Sequence, residues 1–311
     1  MIPNVFPLHY YFKDPLLTVV RAVNEAARAI LGLSRESDVK EGEGHRSIVG
    51  KPDVISQKTI AHVCASIPGV KILGEEDSDN PIFLPRANPE GIFQGTGLVV
   101  DPVDGSVPNS RKLGYWSIGA GVTRDGEIDA GIIIAPATEG GVGVISQKGS
   151  GAHLIEDSRI TPIAPPQKYD PKKSVVFLGV DTLLYPNIAA LTPVIASNVL
   201  ALYTTGSGLW GLMMVAAGRA EAVIQSPQKA WDWVPAYRAI LETGQVFRFF
   251  RIKSGQLIPV EKPDFRSFCY ANENRLGFVA GIPELCDKLF GMLARKKDWE
   301  RINPDTASGT W

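Results

Sequence analysis

The sequence predicts an α+β chain in two parts, 1–160 and 161–311, and three patterns carry that expectation. An apolar repeat at helical spacing opens the chain. A run of β-rich segments separated by turn residues follows. Beyond a proline- and lysine-rich stretch at 161–173, strand-like and helix-like segments alternate.

Taken in order, residues 15–33 place Leu16, Val19, Val20, Val23, Ala27, Ile30 and Leu31 at helical spacing with charges between them, which predicts an amphipathic helix. Residues 34–50 are polar and contain glycine, so they read as a loop. A second helix is expected from Asp53 toward Ser66, ended by Pro68-Gly69. Residues 70–73 and 97–100 are short apolar runs of strand type, and 79–95, with three prolines and no period, read as an irregular insertion. Residues 116–123, 128–134 and 141–146 predict an antiparallel meander with a turn at Asp125-Gly126. In the second part, strands are expected at 174–180 and 220–224, with helices at 185–191, 208–218 and 233–243. A hairpin is expected from 247–252 and 257–260, then a final amphipathic helix over 283–299 and a loose tail over 303–311.

The chemistry concentrates in acids at the ends of these elements. Asp101-Pro102-Val103-Asp104-Gly105-Ser106 follows an apolar strand and sets two carboxylates three residues apart. Pro102 stiffens the turn, Gly105 permits a tight bend, and Ser106 opens a stretch whose backbone N–H groups can face an anion. Hard divalent cations want oxygen ligands, so the segment suits both metal and phosphate. The spacing does not fit an EF-hand loop. Gly74-Glu75-Glu76 ends another apolar run, and Asp232 stands between Trp231 and Trp233 before a helix. Trp231 and Trp233 are expected to wall a pocket, with one of them in the core.

Composition narrows the function classes. With 311 residues, 44% of them apolar, the chain can bury a large core. A net charge of −1 argues against nucleic acid as the main partner. Cys64, Cys269 and Cys286 lack metal spacing and read as core-filling thiols of a reducing compartment. His9, His45, His62 and His153 are also without metal spacing, and Met213-Met214 reads as core. There is no dinucleotide fingerprint and no P-loop. No secretory leader or membrane-length apolar run is seen, so a soluble, cytoplasmic protein is expected.

The GEE, DPVDGS and WDWVPA segments, in this order and rough spacing, resemble the motifs of the inositol monophosphatase family, within the wider group that includes fructose-1,6-bisphosphatases and bisphosphate nucleotidases. The resemblance extends from the first helix to about Gly244. It implies a layered αβαβα sandwich and a Mg²⁺-dependent phosphomonoesterase using two to three ions. By position it implies Glu75, Asp101, Asp104, Asp232 and the Val103 carbonyl as metal ligands. Gathered carboxylates without counter-charges agree with this, because they would otherwise repel. The resemblance also implies that the N–H groups of Gly105 and Ser106, helped by those of Gly206-Ser207-Gly208, bind phosphate. The candidate catalytic set is Asp53, Ser106 and Glu75, with the Ser106 hydroxyl paired to Asp53; the other reading of Asp53 is a helix N-cap. Glu76 is expected just behind the ligands.

Two positions depart from the family pattern. Tyr203 stands where an Arg is common, and Gln225, a candidate substrate-binding residue, stands where inositol-specific members carry an acid. The expected activity is hydrolysis of a small sugar or cyclitol phosphate by a metal-activated water. Bisphosphate nucleotidase and fructose-1,6-bisphosphatase are the nearest alternatives, and a catalytically silent metal- or phosphate-binding protein is the alternative of another class. Lithium sensitivity and a homodimer are implied by the resemblance alone.

Overall fold

The amphipathic stripe at the start of the chain forms α1 (Leu16–Ile30). A small antiparallel pair, β1 (Ser37–Val39) and β2 (Ile48–Gly50), leads into α2 (Lys51–Cys64). This is a computed structural model, and it describes residues 8–33, 37–39, 48–76, 78–84, 95–166, 169–263 and 275–296.

Seven strands then make one sheet: β3 (Lys71–Gly74), β4 (Thr96–Asp104), β5 (Ser117–Arg124), β6 (Glu127–Ala135), β7 (Val142–Gln147), β8 (Gly151–Glu156) and β9 (Arg159–Pro162). Their spatial order is their chain order. β3 runs parallel to β4, and every later neighbour is antiparallel. A short helix, α3 (Ser106–Ser110), follows β4.

The second sheet contains β10 (Val175–Leu178), β11 (Ala201–Tyr203), β12 (Ala222–Gln228), β13 (Val246–Lys253), β14 (Gln256–Val260) and β15 (Leu276–Gly281), in the spatial order β11-β10-β12-β15-β13-β14. β10 is parallel to both of its neighbours and the remaining pairs are antiparallel. The helices of this part are α4 (Pro186–Ala189), α5 (Thr192–Asn198), α6 (Gly208–Ala216), α7 (Val234–Glu242) and α8 (Pro283–Ala294).

Burial of apolar faces fixes the layering. Leu16, Val19 and Val23 of α1 and Ile60 of α2 pack with Leu98, Ile118 and Ile132 on one face of the first sheet. Its other face, through Val99, Ile133 and Val144, shares a core with α6, α7 and the Phe247, Phe249 and Phe278 face of the second sheet. The outer face of the second sheet is covered by α4, α5 and α8 through Ile188, Ile195, Leu285 and Leu289. The result is the expected αβαβα sandwich. Among the described residues, no helix is long and apolar enough to cross a membrane.

The middle helices approach the first sheet closely because glycines open its face. A Cβ on Gly131 of β6 would overlap the carbonyl oxygen of Pro235 at the start of α7, and one on Gly121 would press on Val234. Helix α7 therefore enters the sandwich at a fixed depth, and Asp232 stands two residues ahead of its first residue.

Several expectations need correcting. Of residues 185–191 only Pro186–Ala189 form the expected helix, α4, and a helix that was not expected, α5, follows it; each has a proline in its first turn. A 3₁₀ turn, Val180–Leu184, precedes them in place of the expected strand end. β9 occupies the start of the stretch read as a boundary. β8, β11 and β15 have weak β signals of their own and are strands through their sheet neighbours. β1 and β2 fall in the segment read as a loop. α8 ends at Ala294, where the basic run begins; residues 297–311, including the expected tail, lie outside the described residues. So do His45, Cys269 and most of the insertion at 79–95, of which Phe83 bridges to Ile72. Cys64 and Cys286 are buried free thiols.

The glycine face gives a direct prediction. Gly131→Ala should lose about 1–3 kcal/mol of stability in urea unfolding, because the added methyl meets backbone that cannot move without displacing α7. A loss within error of zero would mean that α7 is not seated at this depth.

Candidate active site

Parallel pairing sets the first two acids side by side. Gly74 of β3 is in register with Val100 of β4, and the Glu75 N–H donates to the Val100 carbonyl at 3.2 Å. Glu75 thus leaves its strand next to Asp101, with which it shares a side-chain hydrogen bond.

Asp101 and Asp104 pose a geometric problem. In a regular strand, residues three apart point to opposite faces. Here Asp101 pairs with Gly119 and Asp104 with Ser117, so three steps along β4 match two along β5. This bulge, at Pro102-Val103, turns both carboxylates to the same place. Ser56 of α2 holds it by donating to the Pro102 carbonyl at 2.7 Å. Asp232 arrives from the 3₁₀ turn ahead of α7, where the Lys229 N–H donates to its Oδ2 at 2.9 Å. Asp101, Asp104 and Asp232 each present a carboxylate oxygen within 4.8 Å of the others. Asp101 is 1% exposed and its Oδ1 has no hydrogen-bond partner among the described residues.

Asp104 is the most heavily supported acid. It accepts hydrogen bonds from the Ser207 hydroxyl, from the Ser117 hydroxyl at 3.3 Å, and from the Gly208 and Leu209 N–H groups at 3.1 and 2.6 Å. Ser207 also caps α6 by accepting from the Trp210 N–H at 3.2 Å. This corrects one expectation. The start of α6 orients an acid through the Gly208 N–H and does not simply face open space for an anion. Gly105 has φ of 88°, and a Cβ there would stand 2.9 Å from the Ser207 Cβ, so the turn after β4 and the turn before α6 pack face to face.

Asp53 is not the N-cap of α2, which is Gly50; it is the third residue of the helix and reaches back to that cap. Its Oδ2 accepts from the Gly50 N–H at 2.9 Å, and its Oδ1 accepts from the Ser106 hydroxyl at 3.0 Å. Ser106 also lies 3.2 Å from the Val103 carbonyl oxygen. Glu76 is buried behind Glu75, its backbone clasped by the Gln57 amide at 2.7 and 3.0 Å. Trp231 and Trp233 are both core: Trp233 packs 4.8 Å from Phe249, and the Lys229 ammonium lies 4.9 Å over the Trp231 ring.

A cavity of about 190 Å³ adjoins the acids and is lined by Asp104, Asp232, Gly206, Ser207, Gly208 and Gln225, with Asp181 from the 3₁₀ turn after β10. Tyr203 stands outside it, exposed and 5.9 Å from the Phe177 ring. Ser56, Gln57, Ser117 and Asp181 carried no signal in the sequence, since a lone polar residue has no local pattern.

Burial dominates the electrostatics. Desolvation, then the Glu75 charge, pushes the Asp53 carboxyl up to about 6 against its hydrogen bonds. Desolvation raises Asp104 to about 6, with its helix-start donors pulling the other way. Asp232 is pushed up to about 8 by desolvation and by Glu75 and Asp104, and Asp101 lies well above the ordinary carboxylate range for the same reasons. The folded, metal-free protein therefore binds more protons than the unfolded chain between about pH 4 and pH 8, so its stability falls as pH rises through that window. The thermal midpoint in EDTA should drop on the order of 5 °C from pH 5 to pH 8, and Asp232→Asn should flatten the curve. A midpoint that climbs over this range would contradict the acid cluster.

A sequence model of the inositol monophosphatase family matches residues 13–268. An inositol-1-monophosphatase of Caulobacter vibrioides is 26% identical over 236 residues, covering 73% of this chain and 86% of that one. An inositol monophosphatase of Dictyostelium discoideum is 24% identical over 242 residues, covering 74% and 83%. Among solved structures, the extragenic suppressor protein suhB of Bartonella henselae superposes with a TM-score of 0.70 at 18% identity, covering 91% of this chain and 99% of that one, a likeness of fold. With a family match over residues 13–268, which include all the acids described above, the chain belongs to the inositol monophosphatase family, a family of phosphoric monoester hydrolases.

Proposed function

We propose that this chain is a Mg²⁺-dependent phosphatase that hydrolyses a small sugar or cyclitol phosphate with an activated water. The observation that carries the reading is the meeting of Asp101, Asp104 and Asp232 within 4.8 Å, beside a polar cavity. Glu75, the three aspartates and the Val103 carbonyl would hold the ions, because hard oxygen donors suit Mg²⁺ and the orphaned Asp101 Oδ1 needs a partner. When bound, Mg²⁺ offsets the carboxylate charge, lowers the pKa of water and holds phosphoryl oxygens.

The chain's own groups supply the rest. Ser106 donates its hydroxyl proton to Asp53, which leaves oxygen lone pairs to accept an O–H from the attacking water. Asp53 is placed to take the proton passed through Ser106, and its burial favours proton uptake over that of an exposed carboxylate. Gly105 and Ser106 begin α3, where N–H groups lack intrahelical acceptors and can receive phosphoryl oxygens. Glu76 and Gln57 support the peptide that carries Glu75. Membership of the family also motivates a homodimeric, lithium-sensitive enzyme.

A phosphate-release screen over a panel of metabolites with Mg²⁺ should find turnover that EDTA abolishes. Asp104→Asn and Asp232→Asn should each lower kcat by about 10²-fold or more, and unchanged turnover in both would reject the reading. Ser106→Ala and Asp53→Asn should lower kcat by about 10²–10⁴-fold with a smaller change in KM, the range of a lost general base. Calorimetric binding of Mg²⁺ and phosphate with no turnover on any substrate would identify a silent binding protein instead.

A further inference from the structure

The start of α2 buries a polar face. Asp53, Ser56 and Gln57 are spaced i, i+3 and i+4, so they lie on one side of the helix, and they are 2%, 0% and 3% exposed. Further along the helix, Ile60 and Cys64 belong to the first core. Three polar side chains out of water cost stability unless each finds a partner. All three find one in the site.

Each reaches a different segment. Asp53 accepts from the Ser106 hydroxyl at 3.0 Å. Ser56 donates to the Pro102 carbonyl at 2.7 Å. Gln57 donates from Nε2 to the Glu76 carbonyl at 2.7 Å, and its Oε1 accepts from the Glu76 N–H at 3.0 Å. Pairing both backbone groups of one residue needs a donor and an acceptor at the end of one side chain. An amide has both, whereas an ionised carboxylate has no donor and an ammonium no acceptor. Gly74 makes room for this clasp. It ends β3, and a Cβ there would overlap the Gln57 Oε1. The bulge of β4 depends on α2 in the same way. Pro102 has no N–H to give to β5, the ladder shifts between Asp101 and Asp104, and the Pro102 carbonyl is satisfied from the helix.

Resting on the metal-dependent phosphatase reading above, we propose that Ser56 and Gln57 are positioning residues that set the affinity of the acid cluster for Mg²⁺. Gln57 fixes the backbone from which Glu75 projects, Ser56 fixes the bulge between Asp101 and Asp104, and α2 ties both to Asp53. Carboxylates that repel one another keep an ion-binding arrangement only if the backbone beneath them cannot recoil. The Ser56 hydroxyl and the Gln57 amide are engaged by backbone, so they act through the acids and are not themselves ligands.

Calorimetric titration of the full chain with Mg²⁺, in the absence of any substrate, tests the assignment. Ser56→Ala and Gln57→Ala should each raise the Mg²⁺ Kd about tenfold or more. Thr59→Val, on the same helix, removes a hydroxyl that donates to the Ile55 carbonyl at 2.8 Å and should leave the Kd unchanged. Gly74→Ala should weaken binding in the wild-type background and not in Gln57→Ala, where the amide it displaces is gone. Gln57→Asn keeps an amide of shorter reach; it should bind with an intermediate Kd, and it replaces Gln57→Ala if that variant does not fold. An unchanged Kd at either position, or equal weakening in Thr59→Val, overturns the proposal. In turnover, the Mg²⁺ concentration for half-maximal rate should shift by a larger factor than kcat falls at saturating Mg²⁺. A fall in kcat with no such shift also overturns it. A wild-type chain that binds Mg²⁺ but hydrolyses no ester rejects the phosphatase reading, and the Kd comparison still decides the roles of Ser56 and Gln57. A wild-type chain that binds no Mg²⁺ overturns both.

Discussion

The structure is organised around a repulsion. Glu75, Asp101, Asp104 and Asp232 bring like charges into a space from which water is largely excluded, and desolvation raises the protonation range of all three aspartates. Left to themselves such groups separate. They stay together because each is fixed by backbone that has no freedom to withdraw: parallel register for Glu75, a bulge for Asp101 and Asp104, a capped turn for Asp232. The cost is borne by the folded state, as expected of a site that is built for a counter-charge rather than for stability.

The middle layer makes that fixation possible. Asp101 and Asp104 belong to the first sheet, while Asp232 belongs to a turn between the second sheet and α7. They meet because α7 descends onto Gly121 and Gly131, where side chains would hold it away. The same layer brings the start of α6 to Asp104, so that two N–H groups and the Ser207 hydroxyl orient this carboxylate. A helix start that favours negative charge here stabilises a side chain of the protein, which pulls against the desolvation of that acid.

Asp53 shows how one group can serve structure and chemistry together. The oxygen that bonds the Gly50 N–H at the start of α2 holds the side chain still, and the other oxygen receives the Ser106 proton. Substituting Asp53 therefore disturbs both a helix end and the hydrogen bond from Ser106. Kinetic and stability measurements separate the two effects.

The sequence alone was enough for the strongest local patterns: the α1 stripe, the meander of β5 to β7, α7, and the acids at element ends whose order and spacing resemble the family motifs. These are legible because periodicity and short motifs are properties of neighbouring residues. It did not reveal α5, a short helix with only Ile195 fully buried, or the strands β8, β11 and β15, which depend on their sheet partners. Nor could it place Trp231 and Trp233, both of which are core, or find Asp181, Ser117 and Ser56, whose partners are distant in the chain. That acids are present was determined by the sequence. That Asp101 and Asp104 face the same way was decided only by the tertiary structure, since spacing by three puts them on opposite faces until a neighbouring strand forces a bulge between them.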